Sequence, residues 1–153
     1  MAIPGSIFTV LADQDRFERP VTFLNGQFNT KVSGTDTGGA LCMIDTVRTR
    51  RGGPPLHFHY EQDELFFVQE GDFRFLIGEE LFELGPGDFI FGPRRIPHAF
   101  ANLSETGRLM IAFQPAGTME AFFAAGLRDP NSEAFRELSR AHGMEVVGPP
   151  LAL

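Results

Sequence analysis

The chain has 153 residues and a formal net charge of −7, from 13 Lys and Arg against 20 Asp and Glu. This length predicts one domain, residues 1–153, with enough chain to bury a sound core. The acidic charge argues against nucleic acid or an anionic membrane surface as a partner.

The cysteine content and the N-terminal sequence indicate the cellular compartment of the protein. The one cysteine, Cys42, excludes an internal disulfide and fits a reducing compartment, and the apolar run around it predicts a buried, inert thiol. Neither a signal peptide nor 18 consecutive apolar residues is visible in the sequence. We therefore expect a cytoplasmic protein that neither crosses nor binds a membrane.

Short apolar and β-branched runs, separated by glycine and proline, predict strands along most of the chain. Residues 7–14 are predicted as a short strand or an N-terminal arm, and Asn25-Gly26 as a tight turn. The glycine-rich segment 33–39 is predicted as a plain loop, with a place at the barrel mouth as the alternative. The predicted strands are 21–24, 28–32, 41–50, 57–59, 64–68, 72–77, 81–84, 89–91 and 109–113. Many short strands with such punctuation indicate a sandwich or barrel with its core at about 20–114.

Beyond Pro115 the pattern becomes helical. Helices are predicted at 118–126 and 132–141, within a C-terminal extension over 118–143, and 144–150 is predicted as an extended tail. The helices could pack on the barrel, cover its edge or pack on a second subunit. His142, at the end of the second helix, is expected to have a structural role.

Three of the four histidines lie in one stretch with a carboxylate between them. His57 and His59 leave the same face of a strand, because side chains alternate with a period of two. If the next strand returns antiparallel beside them, Glu64 faces the same interior, and His98 comes from further round the sheet. Three imidazoles and one carboxylate suit one divalent Fe, Mn, Ni, Co or Zn ion better than Ca or Mg. Such a set leaves open positions for catalysis.

The polar residues near this stretch have simpler interpretations. Glu61 and Asp63 are predicted as solvated turn charges, and Asn102 as a turn residue at the end of a strand. Arg94 and Arg95 are predicted as an exposed pair of turn charges, with steering of an anionic substrate as the alternative.

The spacing of these residues resembles the cupin superfamily. The first cupin motif is matched by His57-x-His59-x4-Glu64-x6-Gly71 and the second by Gly87-x5-Pro93-x4-His98-x3-Asn102. The resemblance implies a double-stranded β-helix, an all-β jelly-roll barrel, with two short C-terminal helices and a metal held by the three histidines and Glu64. Arg51 and Arg95 stand where the family usually has glycine. The C-terminal helices and tail resemble those of bacterial quercetin dioxygenase-like cupins.

Strand parity also selects candidate walls for a substrate pocket. Phe66 and Val68 share the face of Glu64, and Phe100 shares that of His98. Such rings could stack on a flat aromatic substrate, and the alternative is that they only fill the barrel.

These features give three functional hypotheses. The first is a metal-dependent, quercetinase-like oxygenase in which Glu64 is both ligand and catalytic base, acting with dioxygen on a flavonol, enediol or other aromatic small molecule. The second is a cupin that binds a small molecule or metal without turnover. The third is a metal-dependent isomerase or lyase acting on a sugar or keto acid. Exposed sheet edges also lead us to expect a homodimer.

Overall fold

A computed structural model describes residues 5–127 and 129–153, which contain eleven strands and two helices. The strands are β1 (Val21–Phe23), β2 (Gly26–Val32), β3 (Cys42–Arg48), β4 (Pro55–His59), β5 (Asp63–Glu70), β6 (Phe73–Ile77), β7 (Glu80–Leu84), β8 (Phe89–Gly92), β9 (His98–Asn102), β10 (Gly107–Gln114) and β11 (Met144–Pro150). The helices are α1 (Met119–Ala124) and α2 (Glu133–Ala141).

The strands form two antiparallel sheets. One has the order β1-β2-β3-β10-β5-β8 and the other β11-β4-β9-β6-β7. Their inner faces enclose one hydrophobic core, as alternating side chains of a sandwich do. This arrangement confirms the all-β prediction and is that of a double-stranded β-helix.

Phenylalanine supplies most of the large side chains in the core. Each ring can bury about 150–250 Å² of mostly apolar surface. Most of the rings contact one another edge-on or tilted and one pair is stacked, at centroid distances between 4.5 and 6.2 Å. The buried phenylalanines among the described residues are Phe23, Phe28, Phe66, Phe73, Phe75, Phe100, Phe113, Phe122, Phe123 and Phe135.

One predicted pairing is wrong, because β5 does not return beside β4. β4 lies between β11 and β9, whereas β5 lies between β10 and β8 in the other sheet. Glu64 still faces the histidines, since the inner faces of the two sheets point at each other across the core. The acid therefore reaches the site from the opposite wall.

Residues 5–20 contain no strand, so the N-terminal segment is an arm. Asp15 fastens the arm to β2: its carboxylate accepts hydrogen bonds from the backbone N–H groups of Thr30, Phe17 and Arg19, at 2.6, 2.9 and 3.0 Å. The loop at 33–39 lies on the helical extension rather than at the cavity, since the Gly34 N–H donates to a Glu120 carboxylate oxygen at 2.9 Å.

The two helices pack on the barrel. In α1, Phe122 lies 5.0 Å from Phe23 and Phe123 stacks on Phe28 at 4.5 Å, measured between ring centroids. In α2, Phe135 lies 6.0 Å from Phe23. The helices therefore close one end of the barrel with aromatic rings.

The helix ends show how the extension is held. Ser132 caps α2 by accepting a hydrogen bond from Phe135 N at 3.1 Å, as its position predicts. Thr118 does not cap α1 with its side chain. Its hydroxyl instead lies 2.6 Å from Nδ1 of His142, the C-cap of α2, so that His142 ties the two helices together.

The predicted tail is strand β11, which adds to the edge of β4. Met144 pairs with His59 and Val146 with His57. The strand that carries two of the predicted ligands is therefore enclosed between neighbours on both sides rather than left at an edge.

The environment of Cys42 agrees with the predicted inert thiol. The side chain is fully buried, and this burial raises the pKa of the thiol to about 12.

Among the described residues, no helix is long and apolar enough to cross a membrane. The homodimer stays a prediction.

Candidate metal centre

Four side chains from three strands meet inside the barrel. His57 and His59 come from β4, His98 from β9 and Glu64 from β5. Each residue offers one ligand atom, and these atoms all lie within 4.8 Å of one another. His59, Glu64 and His98 are buried, and His57 is half-buried. The sequence-predicted ligands are thus together, in positions to hold a metal ion.

Strand pairing explains how the histidines come together. His57 and His59 share a face of β4, and His57 pairs directly with His98 across the β4–β9 ladder. The His57 and His98 ring centroids are 4.6 Å apart, and the His59 and His98 rings are nearly parallel at 5.5 Å. Antiparallel neighbours on one face of a sheet lie within this range, so the ladder itself sets the spacing.

Each histidine is oriented by a hydrogen bond on its outer ring nitrogen. His57 Nδ1 lies 2.8 Å from the Pro55 carbonyl oxygen, and His98 Nδ1 lies 3.1 Å from that of Ile96. His59 Nδ1 lies 3.1 Å from the side-chain oxygen of Gln62. Because all three partners are acceptors, each Nδ1 carries a proton and donates it. This directs the Nε2 atoms into the site and leaves them available as ligands.

The inner nitrogens converge on the carboxylate. Glu64 Oε2 lies 2.6 Å from His98 Nε2 and 3.0 Å from His59 Nε2. His59 Nε2 is nevertheless one of the buried polar atoms without an aligned hydrogen-bond partner. A buried nitrogen lone pair directed at a carboxylate oxygen is what a bound cation satisfies, so the donor set fits a metal ion.

The pKa shifts reflect the same close packing. Burial, helped by the nearby His98 and His59, lowers the pKa of His57 to about 3, so this ring is neutral near pH 7. Burial by itself would raise the pKa of Glu64, but charge and hydrogen bonds from His98 and His59 outweigh it and lower that pKa. Burial would lower the pKa of His98, and the Glu64 carboxylate reverses this and raises it.

A cavity of about 50 Å³ lies beside His57, His59 and Glu64, and His98 is outside its lining. Its wall is formed mostly by apolar side chains from both sheets and from the two helices. Apart from the histidines and Glu64, only Arg48 and Ser139 bring polar side chains to the described part of this wall. The Ser139 hydroxyl donates to the Phe135 carbonyl oxygen at 2.8 Å, so that it is already paired.

The three predicted wall residues take different positions. Phe100 lines the cavity. Phe66 does not, and packs edge-on against His98 with ring centroids 5.9 Å apart. Val68 is fully buried further along β5 and does not line the cavity. Phe66 therefore supports a ligand from behind, and Val68 lies in the core.

The charges that flank the site form pairs on the surface. Arg94 makes two hydrogen bonds to the Asp63 carboxylate, both at 3.1 Å, and Arg95 reaches Glu61 at 3.0 Å. Arg95 has a positive φ of 65°, a backbone conformation that favours glycine. The turn therefore has the geometry of the family pattern, although arginine stands in place of the glycine. Its N–H donates to the His59 carbonyl oxygen at 2.7 Å, which holds this turn against the ligand strand.

Before the first motif, Gly52 rather than residue 51 has the backbone geometry of the expected glycine, and Asn102 pairs with it. Gly52 has a φ of +106° and makes an isolated bridge to Asn102, whereas Arg51 stays on the surface. The buried Asn102 amide donates to the carbonyl oxygens of Arg50 and Ser104, at 3.1 and 2.9 Å. Asn102 is thus a turn residue, as predicted.

Sequence reasoning missed two residues that matter at the site. Gln62 lies between the predicted turn charges Glu61 and Asp63, yet it is buried and its amide donates to the carbonyl oxygens of Pro115 and Ala116, both at 2.9 Å. Those bonds direct its oxygen at His59. Arg48 lies in the predicted strand 41–50 and has the parity of Ile44 and Thr46, which face the interior. That parity was the available signal.

The family and sequence comparisons agree with this geometry. Residues 45–113 match the family described as Cupin domain. An uncharacterised protein of Streptomyces coelicolor is 30% identical over 56 residues, which are 37% of this chain and 53% of that protein. An uncharacterised protein of Methanocaldococcus jannaschii is 35% identical over 48 residues, 31% of this chain and 38% of that protein. The matches thus span about half, or less, of the length of these relatives.

Solved structures share the fold. KdgF from Halomonas sp. has a TM-score of 0.60 at 19% identity, covering 72% of this chain and 94% of its own. An RmlC-like cupin from Shewanella frigidimarina has a TM-score of 0.61 at 17% identity, and the match covers 72% of this chain and 93% of that protein. The Streptomyces nucleoside dehydratase Pac13 has a TM-score of 0.57 at 11% identity, and the match covers 72% of this chain and 83% of that protein. The domain match and these neighbours support the cupin superfamily.

We predict that His57→Ala and Glu64→Gln each remove most of the bound metal, because either change deletes one of four ligands. Glu83→Gln is the matched control, since Glu83 lies in an exposed ion pair with Arg74 outside the cluster. Metal content by mass spectrometry, on protein purified without a metal-affinity tag, checks this. Wild-type metal content in His57→Ala would contradict the assignment of the site.

We predict that Gln62→Leu lowers metal affinity by about 10- to 100-fold, as loss of a partner behind a ligating histidine commonly does. The leucine cannot accept the proton of His59 Nδ1, which frees the ring to rotate or change tautomer. Competition with a chromogenic chelator measures the affinity. Equal affinities for wild type and Gln62→Leu would show that Gln62 only fills space.

Proposed function

We propose that the protein is a metal-dependent oxygenase that acts with dioxygen on a small enol or enediol. The observation that carries this proposal is a complete set of three histidines and one glutamate, three of which line a mostly apolar cavity. Such an environment excludes water and admits an apolar gas, which favours oxygen chemistry over hydrolysis.

The cavity wall argues against a sugar isomerase. A polyol needs several directed donors and acceptors to hold its hydroxyl groups, because buried polar groups without partners are costly. Beyond the metal ligands, the described wall offers only the Arg48 and Ser139 side chains, and Ser139 is already paired. The site is therefore better suited to a substrate with one or two polar groups on an apolar frame.

The size of the cavity restricts the substrate. About 50 Å³ holds roughly four water-sized groups at ~10–15 Å³ each. A quercetinase-like reaction on a flavonol would need Phe122, Phe123 and Phe135 to move away with the two helices. In the described conformation the cavity suits only a small substrate. A flavonol becomes a substrate only if Phe122, Phe123 and Phe135 move away from the cavity.

Each site residue has a role in this proposal. A bound divalent ion supplies Lewis acidity and, if redox-active, electrons for dioxygen. His57, His59 and His98 hold the ion through their inner nitrogens. Glu64 is the fourth ligand and accepts the proton of the substrate hydroxyl at Oε2, the oxygen that His98 and His59 now contact. Phe100 and the rings of α1 keep water from the reacting atoms.

A binding module without turnover is the second candidate. The aromatic cover favours it, because a cavity partly covered by packed rings retains a ligand more readily than it exchanges substrate and product. Similar folds include enzymes such as a nucleoside dehydratase, which supports catalysis on this scaffold without selecting the reaction.

We predict that the protein with its native metal consumes dioxygen when supplied with an enediol of about three carbon atoms, such as 2,3-dihydroxypropenal. Glu64→Gln, compared with wild type at equal bound metal, should lower the rate by at least about 100-fold, since general acid–base catalysis typically contributes 10²- to 10⁴-fold. An oxygen electrode measures the rate, with Glu83→Gln, which alters an exposed ion pair with Arg74, as the matched control that keeps it. Native zinc, or no oxygen uptake above that of the free metal ion, would contradict the proposed function.

A further inference from the structure

Arg48 is the most unusual charged residue of the barrel interior. It is the last residue of β3, its side chain is only 1% exposed, and it lines the same cavity as His57 and Glu64. A buried charge is costly unless it is paired, because it gives up its hydration.

No carboxylate among the described residues pairs with Arg48. Its Nη2 donates to the Asn25 side-chain oxygen and its Nη1 to the Thr46 hydroxyl at 3.3 Å, both neutral acceptors. Its Nε is buried without a hydrogen-bond partner. Six other arginines do form ion pairs with carboxylates: Arg16, Arg74, Arg94, Arg95, Arg108 and Arg140.

The surroundings of Arg48 keep the charge without neutralising it. The guanidinium carbon lies 5.4 Å from the Phe100 ring centroid and 5.8 Å from that of Phe28. Such cation–π contacts stabilise a cation but leave its N–H donors unpaired. Burial lowers the pKa of Arg48 to about 10, so the group remains protonated near pH 7.

With a divalent ion bound, the charge of the cavity would be unbalanced on the positive side. A divalent ion held by neutral imidazoles and the Glu64 carboxylate keeps a net positive charge, and Arg48 adds another. The described cavity wall has no second carboxylate to compensate. A small anion would satisfy the free Nε–H and supply the missing negative charge.

We propose that Arg48 binds the carboxylate group of a short-chain organic acid, and that the substrate of this site is such an acid. Carboxylate geometry matches the planar guanidinium, and the small cavity limits the acid to a few carbon atoms. The inference rests on the proposed function only in taking this ligand as the substrate.

The alternative is that Arg48 only braces the β1–β2 turn through Asn25. That role predicts a loss of stability on substitution, but no preference for anions over neutral molecules of the same shape. Acetate and acetamide are such a pair, since they differ mainly in charge. A comparison of their binding therefore separates the two roles.

The test uses the full chain, as purified and again after metal removal with a chelator. Acetate and acetamide are titrated separately while the Nε–H resonance of Arg48 is followed by ¹H–¹⁵N NMR. We expect a saturable shift with acetate in both preparations, and binding of acetamide at least about tenfold weaker because it lacks the charge. No shift with acetate, or equal binding of the two, would overturn the inference.

Variants extend the test. In the variants, binding is followed by the backbone amide resonance of Phe100, which lines the cavity. Arg48→Gln should abolish the preference for acetate, whereas Arg74→Gln, which alters an exposed ion pair with Glu83, should retain it. Retention of the full preference in Arg48→Gln would contradict the role of Arg48, and if this variant fails to fold, the wild-type titration still decides the question.

The outcomes for the two proposals are separable. Acetate binding at Arg48 without oxygen uptake on any small enediol would leave the anion site standing and remove the oxygenase. Oxygen uptake from neutral enediols, combined with no preference for acetate, would remove the anion site and leave the oxygenase.

Discussion

The hydrogen bonds on the outer nitrogens of the three histidines are the interactions on which the site depends. A ring that donates from Nδ1 to a fixed acceptor must present Nε2 to the interior, so tautomer and direction are set before any ion arrives. Two acceptors are backbone carbonyl oxygens two residues before the ligand, at Pro55 and Ile96. The third, Gln62, is itself held by two backbone carbonyl oxygens. The strand pairing of β4 with β9 thus controls both the positions and the directions of the ligands.

The same interior combines strong electrostatics with an aromatic core. Glu64 reaches the histidines from the opposite sheet, so any change in the separation of the sheets changes the site. Phenylalanine rings fill the space between the two sheets. They fix that separation because a close-packed interior resists compression. Helix α1 extends this packing across the open end with Phe122 and Phe123. Ligand geometry, exclusion of water and closure of the barrel therefore have one physical cause, the packing of the core.

Local pattern predicted much of this structure. Strand parity placed His57 and His59 on one face, and motif spacing supplied Glu64 and His98. The pattern of short strands predicted a sandwich or barrel, and cap residues predicted the two helices. The partner of β5 was predicted wrongly, because sheet order depends on long-range contacts that local periodicity does not contain. Gln62 was missed for a related reason, since it looks like a solvent-exposed turn residue until its partners at Pro115 and Ala116 are known, whereas the burial of Arg48 was signalled by its strand parity.

The central claim is that three imidazoles and one carboxylate hold a single divalent ion inside this barrel. X-ray absorption at the metal edge of the protein as purified tests it most directly. The account predicts a first shell of nitrogen and oxygen at about 2.0–2.2 Å, with outer-shell scattering from three imidazole rings. A shell of oxygen alone, or one containing sulfur, would contradict it.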